Sequence, residues 1–395
     1  MNILILTVSA GSGHINAAEA IKDRFESKYP GSNILLVDTY KYVNPLVDKV
    51  IVGSYINTIK KTPRIYGKLY ALSESRDSKY NFGKKLNTLL AIRLKSLIDD
   101  FKPTIIVCTN FIPLQILSII NSKEAVSVPI ISVITDFTTH SYWLHEYVSA
   151  YVVAHDFLKL ELIKKGIPSD KIYPCGIPFC KSFLLNKDKS KLLKEFKLEE
   201  KLTVLIMGGG LGYGELKKTF LSILNMNKDI QIIVITGTNK KLKHQLENYS
   251  VNINKKIKIV GYTNRVADFM DISDVIITKP GGMTITESLI KELPIFIISP
   301  IPGQEERNAR FLTNIGASVR ILKNDDAGSI LHQIMDNPLR VKQLKEMERF
   351  IARPKATDDV VNLIEMLASK TNTEDIKPSI NIPQYSGLKG NLIFE

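Results

Sequence analysis

Leu202-Thr203-Val204-Leu205-Ile206-Met207-Gly208-Gly209-Gly210-Leu211-Gly212-Tyr213-Gly214 is an apolar run that ends in a loop built largely of glycine. Its first six residues are apolar or β-branched with no alternation, the pattern of a parallel strand buried on both faces. Five glycines in the next seven residues exceed what a turn needs. They let backbone N–H groups converge on an anion such as phosphate, and the helix expected near Glu215–Leu224 adds its positive end. Strand, Gly loop and helix together open a doubly wound α/β domain. The start of the chain repeats this opening. Asn2–Val8 is a continuous apolar run, Ser9-Ala10-Gly11-Ser12-Gly13-His14 follows, and Ala17, Ala18, Ala20 and Ile21 recur at helical spacing. Two such openings predict two Rossmann-like domains. A length of 395 residues agrees, since single cores stop growing beyond about 250–300 residues.

Between the two openings, Asn33–Val37, Thr104–Cys108, Ile130–Ile134 and Tyr151–Ala154 read as further buried strands. After the second, Ile230–Ile235, Ile257–Val260, Val275–Thr278, Ile295–Ile298 and Ser318–Ile321 continue the series. Pro174, Pro178 and the charged run Lys187–Lys201 mark the junction. The expected division is therefore domain one at 1–180, domain two at 181–356, an amphipathic helix at 357–370 crossing back onto domain one, and a tail at 371–395 with few packing signals.

A chain that is 44% hydrophobic and 24% charged is neither disordered nor collagen-like. Three cysteines without a CxxC pair speak against a disulfide framework and a structural zinc site. No apolar run reaches the roughly 18–20 residues of a membrane span, and the apolar start lacks a signal peptide's basic flank. A cytoplasmic location is the expectation. The net charge of +13 calls for an anionic partner: nucleic acid, an anionic membrane surface, or a phosphate-bearing substrate. The segment Lys41–Lys95 holds twelve Lys and Arg against three acids, interleaved with Tyr42, Tyr55, Tyr66, Tyr70, Tyr80 and Phe82. Cations mixed with aromatic rings suit a lipid headgroup boundary, although the solvated face of two ordinary helices has the same composition. No RNA-binding or helix-turn-helix signature occurs, so nucleic acid is not an expected partner.

Five loops carry chemistry. In the first, Gly11 and Gly13 allow close backbone approach to an anion, but the spacing matches neither GxGxxG nor a P-loop. His14 beside it is a general base or a helix-start histidine. The second is Gly208–Gly214. In the third, Thr278-Lys279-Pro280-Gly281-Gly282-Met283-Thr284, a helix is expected from about Thr284 with Glu287 in its first turn. There Glu287 either completes a capping box or accepts two sugar hydroxyls. The fourth, Pro300–Asn308, gathers Gln304, Glu305 and Asn308 at a strand's C-terminal edge, a set suited to hexose hydroxyls. In the fifth, Thr135–Trp143, Asp136 either orients His14, contacts an acceptor, or caps a helix, and His140 and Trp143 either line an apolar acceptor site or belong to the core.

Taken in order, Ser9-Ala10-Gly11-x-Gly13-His14, Thr62-Pro63-x-x-Tyr66-Gly67-x-x-Tyr70, Thr135-Asp136-Phe137 with His140 and Trp143, Gly208-Gly209-Gly210-x-Gly212, Lys279-Pro280-Gly281-Gly282-x-Thr284 with Glu287, and Pro302-Gly303-Gln304-Glu305-x-x-Asn308 resemble the processive diacylglycerol glucosyltransferases and monogalactosyldiacylglycerol synthases. The lipid II N-acetylglucosaminyltransferase is a more distant likeness. The resemblance spans about residues 1–368. It implies a GT-B fold, two Rossmann-like domains facing across a cleft. It also implies an inverting hexosyltransferase that takes a UDP-sugar, glucose before galactose, to diacylglycerol or a glycosyl-diacylglycerol. By the same resemblance His14 is the general base, with Asp136 beside it. Gly11, Gly13, Gly208, Gly209, Gly210, Gly212, Gly281, Gly282, Thr284, Glu287, Gln304, Glu305 and Asn308 form the donor site. Lys60, Lys61, Arg64, Tyr66, Tyr70, His140 and Trp143 meet acceptor and membrane on the inner face of the cell membrane. No metal is expected, in keeping with the lack of an Asp-x-Asp pair. A UDP-sugar epimerase with a soluble substrate and a non-catalytic lipid-binding protein are the alternatives.

Overall fold

The computed structural model describes residues 1–9, 11–43, 53, 58, 62–72, 84–212, 214–250 and 253–370. Lys60, Lys61, much of the Lys41–Lys95 segment, the side chains of Arg64 and Tyr66, and the tail 371–395 lie outside the described residues.

The first half runs β1 Asn2–Thr7, α1 Ser12–Lys28, β2 Asn33–Asp38, α2 Thr39–Val43, α3 Pro63–Leu72, α4 Lys84–Phe101, β3 Ile105–Cys108 and α5 Phe111–Asn121. It continues through β4 Ile130–Val133, β5 Ala150–Val152, α6 Asp156–Lys164 and β6 Ile172–Tyr173. The second half runs α7 Lys189–Phe196, β7 Leu202–Met207, α8 Leu216–Leu224, β8 Ile230–Ile235, α9 Lys240–Tyr249, β9 Ile257–Val260 and α10 Val266–Asp271. Then come β10 Val275–Thr278, α11 Gly282–Ile290, β11 Ile295–Ile297, α12 Gln304–Asn314 and β12 Val319–Arg320, closed by α13 Ala327–Met335, α14 Pro338–Ile351 and α15 Ala356–Lys370.

The strands make two six-stranded sheets, ordered β2-β1-β3-β4-β5-β6 and β12-β11-β10-β7-β8-β9. Every pairing is parallel. That explains the unbroken apolar runs, because the inner strands are covered on both faces. In β1, Ile3 and Ile5 face one core cluster while Leu4 and Leu6 face another. In β7, Val204 and Ile206 face the outer cluster of the second sheet. Leu205 and Met207 join the cluster that already holds Leu4 and Leu6, so one apolar core runs continuously from the first sheet to the second.

Strand order reverses beside β1 in the first sheet and beside β7 in the second, since later strands add on the opposite side from β2 and β8. Open α/β sheets bind ligands at the carboxyl ends of strands at such reversal points. His14 follows β1, and the Gly208–Gly212 loop follows β7. The helix α15 lies on α1, where Arg24 pairs with Asp358 and Lys28 Nζ donates to Asn362 Oδ1 at 2.7 Å. Val360, Val361, Leu363 and Ile364 complete the apolar layer over β1, β3 and β4.

Candidate functional site

The two reversal points face each other. A Cβ built on Gly210 would lie 3.0 Å from Ser12 Oγ, and one on Gly13 would lie 3.4 Å from Met283 Cγ. The contact is tightest at Gly282, the first residue of α11, where a Cβ would lie 2.0 Å from the Thr135 carbonyl oxygen. Only glycine allows the second domain to seat there. Gly212 meets a second requirement, with φ of +56° and the Thr236 carbonyl 1.9 Å from where a Cβ would stand. No side chain caps α1, α11 or α12, so the N-terminal N–H groups of three helices border one cleft, with Glu306 N of α12 already donating to the Ile301 carbonyl.

His14 stands in the first turn of α1 and is half-buried. Its Nδ1 lies 2.7 Å from Thr135 Oγ1, and its carbonyl accepts from Thr109 Oγ1 at 3.0 Å. Trp143 lies with its ring 6.4 Å away. Desolvation lowers the His14 pKa to about 4, which leaves the imidazole neutral at pH 7. The partner of His14 is thus Thr135 and not Asp136. Asp136 is buried, begins no helix, and turns to Asn308, whose Nδ2 donates to its Oδ1 at 2.9 Å. Burial raises its pKa to about 7, opposed by that hydrogen bond and assisted by the charge of Glu305.

Glu287 corrects an expectation. The helix begins at Gly282, two residues before Thr284, so Glu287 sits in the second turn and is no capping-box partner. Its carboxyl is 8% exposed and has no hydrogen-bond partner among the described residues. Burial alone raises its pKa to about 8. A buried carboxyl of this kind is costly unless a ligand supplies donors.

Gln304 opens α12 and is half-buried. Glu305 is buried with both oxygens engaged, Oε1 at 2.6 Å from Lys279 Nζ and Oε2 accepting from Ile301 N at 3.0 Å. Asn308 is fully buried and has no free polar atom for a sugar in this closed arrangement. Its Oδ1 accepts from Phe137 N at 2.9 Å, and its Nδ2 donates to Asp136 and to the Pro280 carbonyl. Near the rim, a Cβ on Gly303 would lie 2.9 Å from Tyr70 Cγ, and Tyr70 packs on His140 with ring centroids 4.4 Å apart and planes tilted by 49°. His140 Nδ1 also accepts from Tyr142 N, capping the short turn that carries the buried Trp143. Thr135 and Lys279 are the site residues missing from the sequence-based set. Lys279 lies against the Gly208–Gly212 loop, since a Cβ on Gly209 would lie 3.0 Å from Lys279 Cε.

Among the described residues, no three His, Cys, Asp or Glu side chains gather as metal ligands, and no helix is long and apolar enough to cross a membrane.

The chain matches two protein families in tandem: monogalactosyldiacylglycerol (MGDG) synthase over residues 14–179, and the glycosyltransferase family 28 C-terminal domain over residues 203–360. It is 28% identical over 370 residues to a protein of Bacillus cereus (strain AH187) named processive diacylglycerol beta-glucosyltransferase, with 92% of each chain covered. Among solved structures, Acinetobacter baumannii MurG is similar with a TM-score of 0.60 at 15% identity, covering 93% of this chain and 100% of that one. The S. aureus MnaA-UDP co-structure gives 0.64 at 12% identity, covering 95% and 99%. At such identity the structural likenesses speak for the fold, which is GT-B. The two family matches, in the order the two sheets follow, and relatives aligned over nearly their whole length place this chain in the diacylglycerol glycosyltransferase family that includes the monogalactosyldiacylglycerol synthases.

Proposed function

We propose that this glycosyltransferase moves a hexose, glucose before galactose, from a UDP-sugar to the hydroxyl of diacylglycerol or a glycosyl-diacylglycerol, with inversion, at an anionic membrane surface on the cytoplasmic side. The observation that carries this reading is His14, neutral at pH 7 and held by Nδ1 opposite the uncapped N-terminus of α11. Its Nε2 takes the proton of the acceptor hydroxyl as that oxygen bonds to the anomeric carbon. The bond from the anomeric carbon to the diphosphate breaks, and its electron pair leaves with UDP. Attack from the face opposite the diphosphate converts an α-linked donor into a β-linked product. The Gly11–Gly13 and Gly208–Gly212 backbones, the helix ends and Lys279 stabilise the departing charge, so no metal is needed. Glu287 accepts the ribose hydroxyls and Gln304 meets the hexose.

The name of the Bacillus cereus relative supports the diacylglycerol acceptor, and a neighbour solved with UDP supports the donor. Ile65 of α3 and Leu89 and Ile92 of α4 are 53%, 49% and 62% exposed, with Lys68 and Arg93 exposed beside them. Each such apolar side chain that leaves water contributes about 1.5–3 kcal/mol. Each cation near an anionic surface adds about 1 kcal/mol. Together they suffice for reversible attachment. The deciding experiment mixes the purified protein with diacylglycerol in anionic vesicles and with UDP-glucose, UDP-galactose or UDP-N-acetylglucosamine separately, then weighs the extracted lipids. A hexosyl lipid formed from UDP-glucose is expected. Release of UDP without glycolipid refutes the acceptor.

A further inference from the structure

The segment Thr135–Phe137 serves both domains. On the domain-one side, Thr135 Oγ1 lies 2.7 Å from His14 Nδ1. On the domain-two side, Asn308 grips the next two residues, through Asp136 Oδ1 and Phe137 N, each at 2.9 Å. The remaining Nδ2 hydrogen of Asn308 goes to the Pro280 carbonyl at 3.1 Å, which ties the grip to the loop before α11. The Thr135 carbonyl itself is pressed against Gly282. Domain two therefore fixes the backbone at, and immediately after, the residue that holds the imidazole. Asn308 lies 171 residues from Phe137 in sequence, so these bonds exist only when the two domains are together.

We propose that Asn308 is a positioning residue for His14: domain closure, through Asn308, sets the Thr135–Phe137 segment so that His14 Nδ1–H donates to Thr135 Oγ1 and the lone pair of Nε2 is left for the acceptor proton. The inference rests on the reading of His14 as base. Its physical content is that a hydroxyl within reach of Nδ1 fixes the orientation of the ring, and that Nε2 is basic in the tautomer whose proton sits on Nδ1. Among the described residues Nε2 of His14 has no partner, so the Thr135 hydroxyl is the side chain that holds the ring. Asn308 contributes nothing to this when the domains are apart. The base is then correctly set only in the state in which donor and acceptor loops also face each other, and an open enzyme holding UDP-sugar has a poorly prepared base toward water. Closure so coupled to base orientation protects the donor from hydrolysis.

The test uses the full chain with UDP bound and reads the imidazole nitrogens directly by ¹⁵N NMR, assigning His14 by its loss in His14→Ala. Wild type is expected to show the Nδ1–H tautomer. Asn308→Ala and Thr135→Val should each shift His14 toward a tautomer mixture, and Thr135→Ser should restore it. In turnover, Asn308→Ala and Thr135→Val should lower kcat by about 100-fold, the low end of what a positioned base supplies, with the KM for the donor within threefold of wild type. In a His14→Ala background the Asn308 substitution should add less than threefold, because positioning residues lose their effect when the group they position is gone. Unchanged His14 nitrogens in folded Asn308→Ala, or losses that multiply in the double variant, overturn the proposal. If Asn308→Ala does not fold, Asn308→Ser, which is too short to hold both Asp136 and Phe137, supplies the same readouts. Wild-type activity in His14→Ala instead removes the base reading itself, a separate outcome.

Discussion

Lys279 Nζ and Glu305 Oε1 lie 2.6 Å apart in a site where both side chains are largely buried, at 16% and 7% exposure. The pair fastens the end of β10 to the start of α12 and keeps the ammonium beside Gly209. Glu305 accordingly ties Lys279 to the Gly208–Gly212 loop, with both of its carboxylate oxygens engaged within the protein.

Glu305→Gln removes the carboxylate and leaves a poorly solvated ammonium unpaired. Breaking a buried pair from one side costs on the order of 3 kcal/mol. The unfolding midpoint in urea should fall accordingly, and saturating UDP should recover part of the loss by giving Lys279 a diphosphate. A midpoint equal to wild type would mean the pair carries no weight.

The pH profile of kcat at saturating donor should have its acid limb near the His14 value of about 4 and be flat from pH 5 to 7. The sign follows from the role: the base works neutral, and protonation disables it only below its pKa. A limb near 6.5, the ordinary histidine value, would show that the cleft does not withhold water from the ring. His14→Ala should lose at least about 100-fold in turnover while UDP affinity stays within twofold.

Glu287 gives the opposite dependence. Its carboxyl is raised from 4.5 to about 8 by burial, and in the proposed role ribose hydroxyls donate to the charged form. UDP should therefore bind more tightly as pH rises from 6 to 8, releasing up to one proton, and level off above. Stability without nucleotide moves the other way. The unfolded carboxylate ionises near 4.5 while the folded one stays protonated, so stability declines as pH climbs from there toward 8. Glu287→Gln should flatten the affinity profile and weaken binding. Retained pH dependence in that variant would assign the proton to another group.

Gly282→Ala places a methyl 2.0 Å from the Thr135 carbonyl. That clash is with backbone and has no side-chain escape, so the domains are held apart while each sheet keeps its own packing. Folded protein with at least tenfold lower kcat is expected, with small-angle scattering showing a wider cleft. Full activity would mean that the seat of α11 on Thr135 is not used in turnover.

The strands were legible because parallel strands covered on both faces leave long apolar runs, and each run from Asn2 to Ile321 has its strand. The exception is β6, Ile172–Tyr173, whose two residues between Lys171 and Pro174 leave no run to read. The start of α11 was misplaced because Gly281-Gly282 looks like loop. Gly282 is helical, and its missing side chain is demanded by a residue of the other domain. Asp136 and Asn308 show the same limit more sharply. A polar cluster at a strand edge signals a site, but whether an amide faces ligand or the opposing domain depends on contacts 171 and 172 residues away. Asp136 offers itself as one possible partner of His14 through its place at a strand's C-terminal edge, and the neighbouring hydroxyl of Thr135 gives no comparable signal.

The helix α15 contributes Val360, Val361, Leu363 and Ile364 to the layer over β1, β3 and β4. Domain one is thus assembled from two ends of the chain, and this constrains its biosynthesis. During translation the first sheet emerges long before the helix that covers it. One face of β1, β3 and β4 must then wait, wet or chaperoned, while some two hundred further residues are made, about ten to forty seconds at 5–20 residues per second. Domain two, whose strands and covering helices are contiguous, can fold in that interval. The earlier half of the message is the later half to mature, and a ribosome stalled within domain two leaves behind an apolar sheet face that α1 covers only in part.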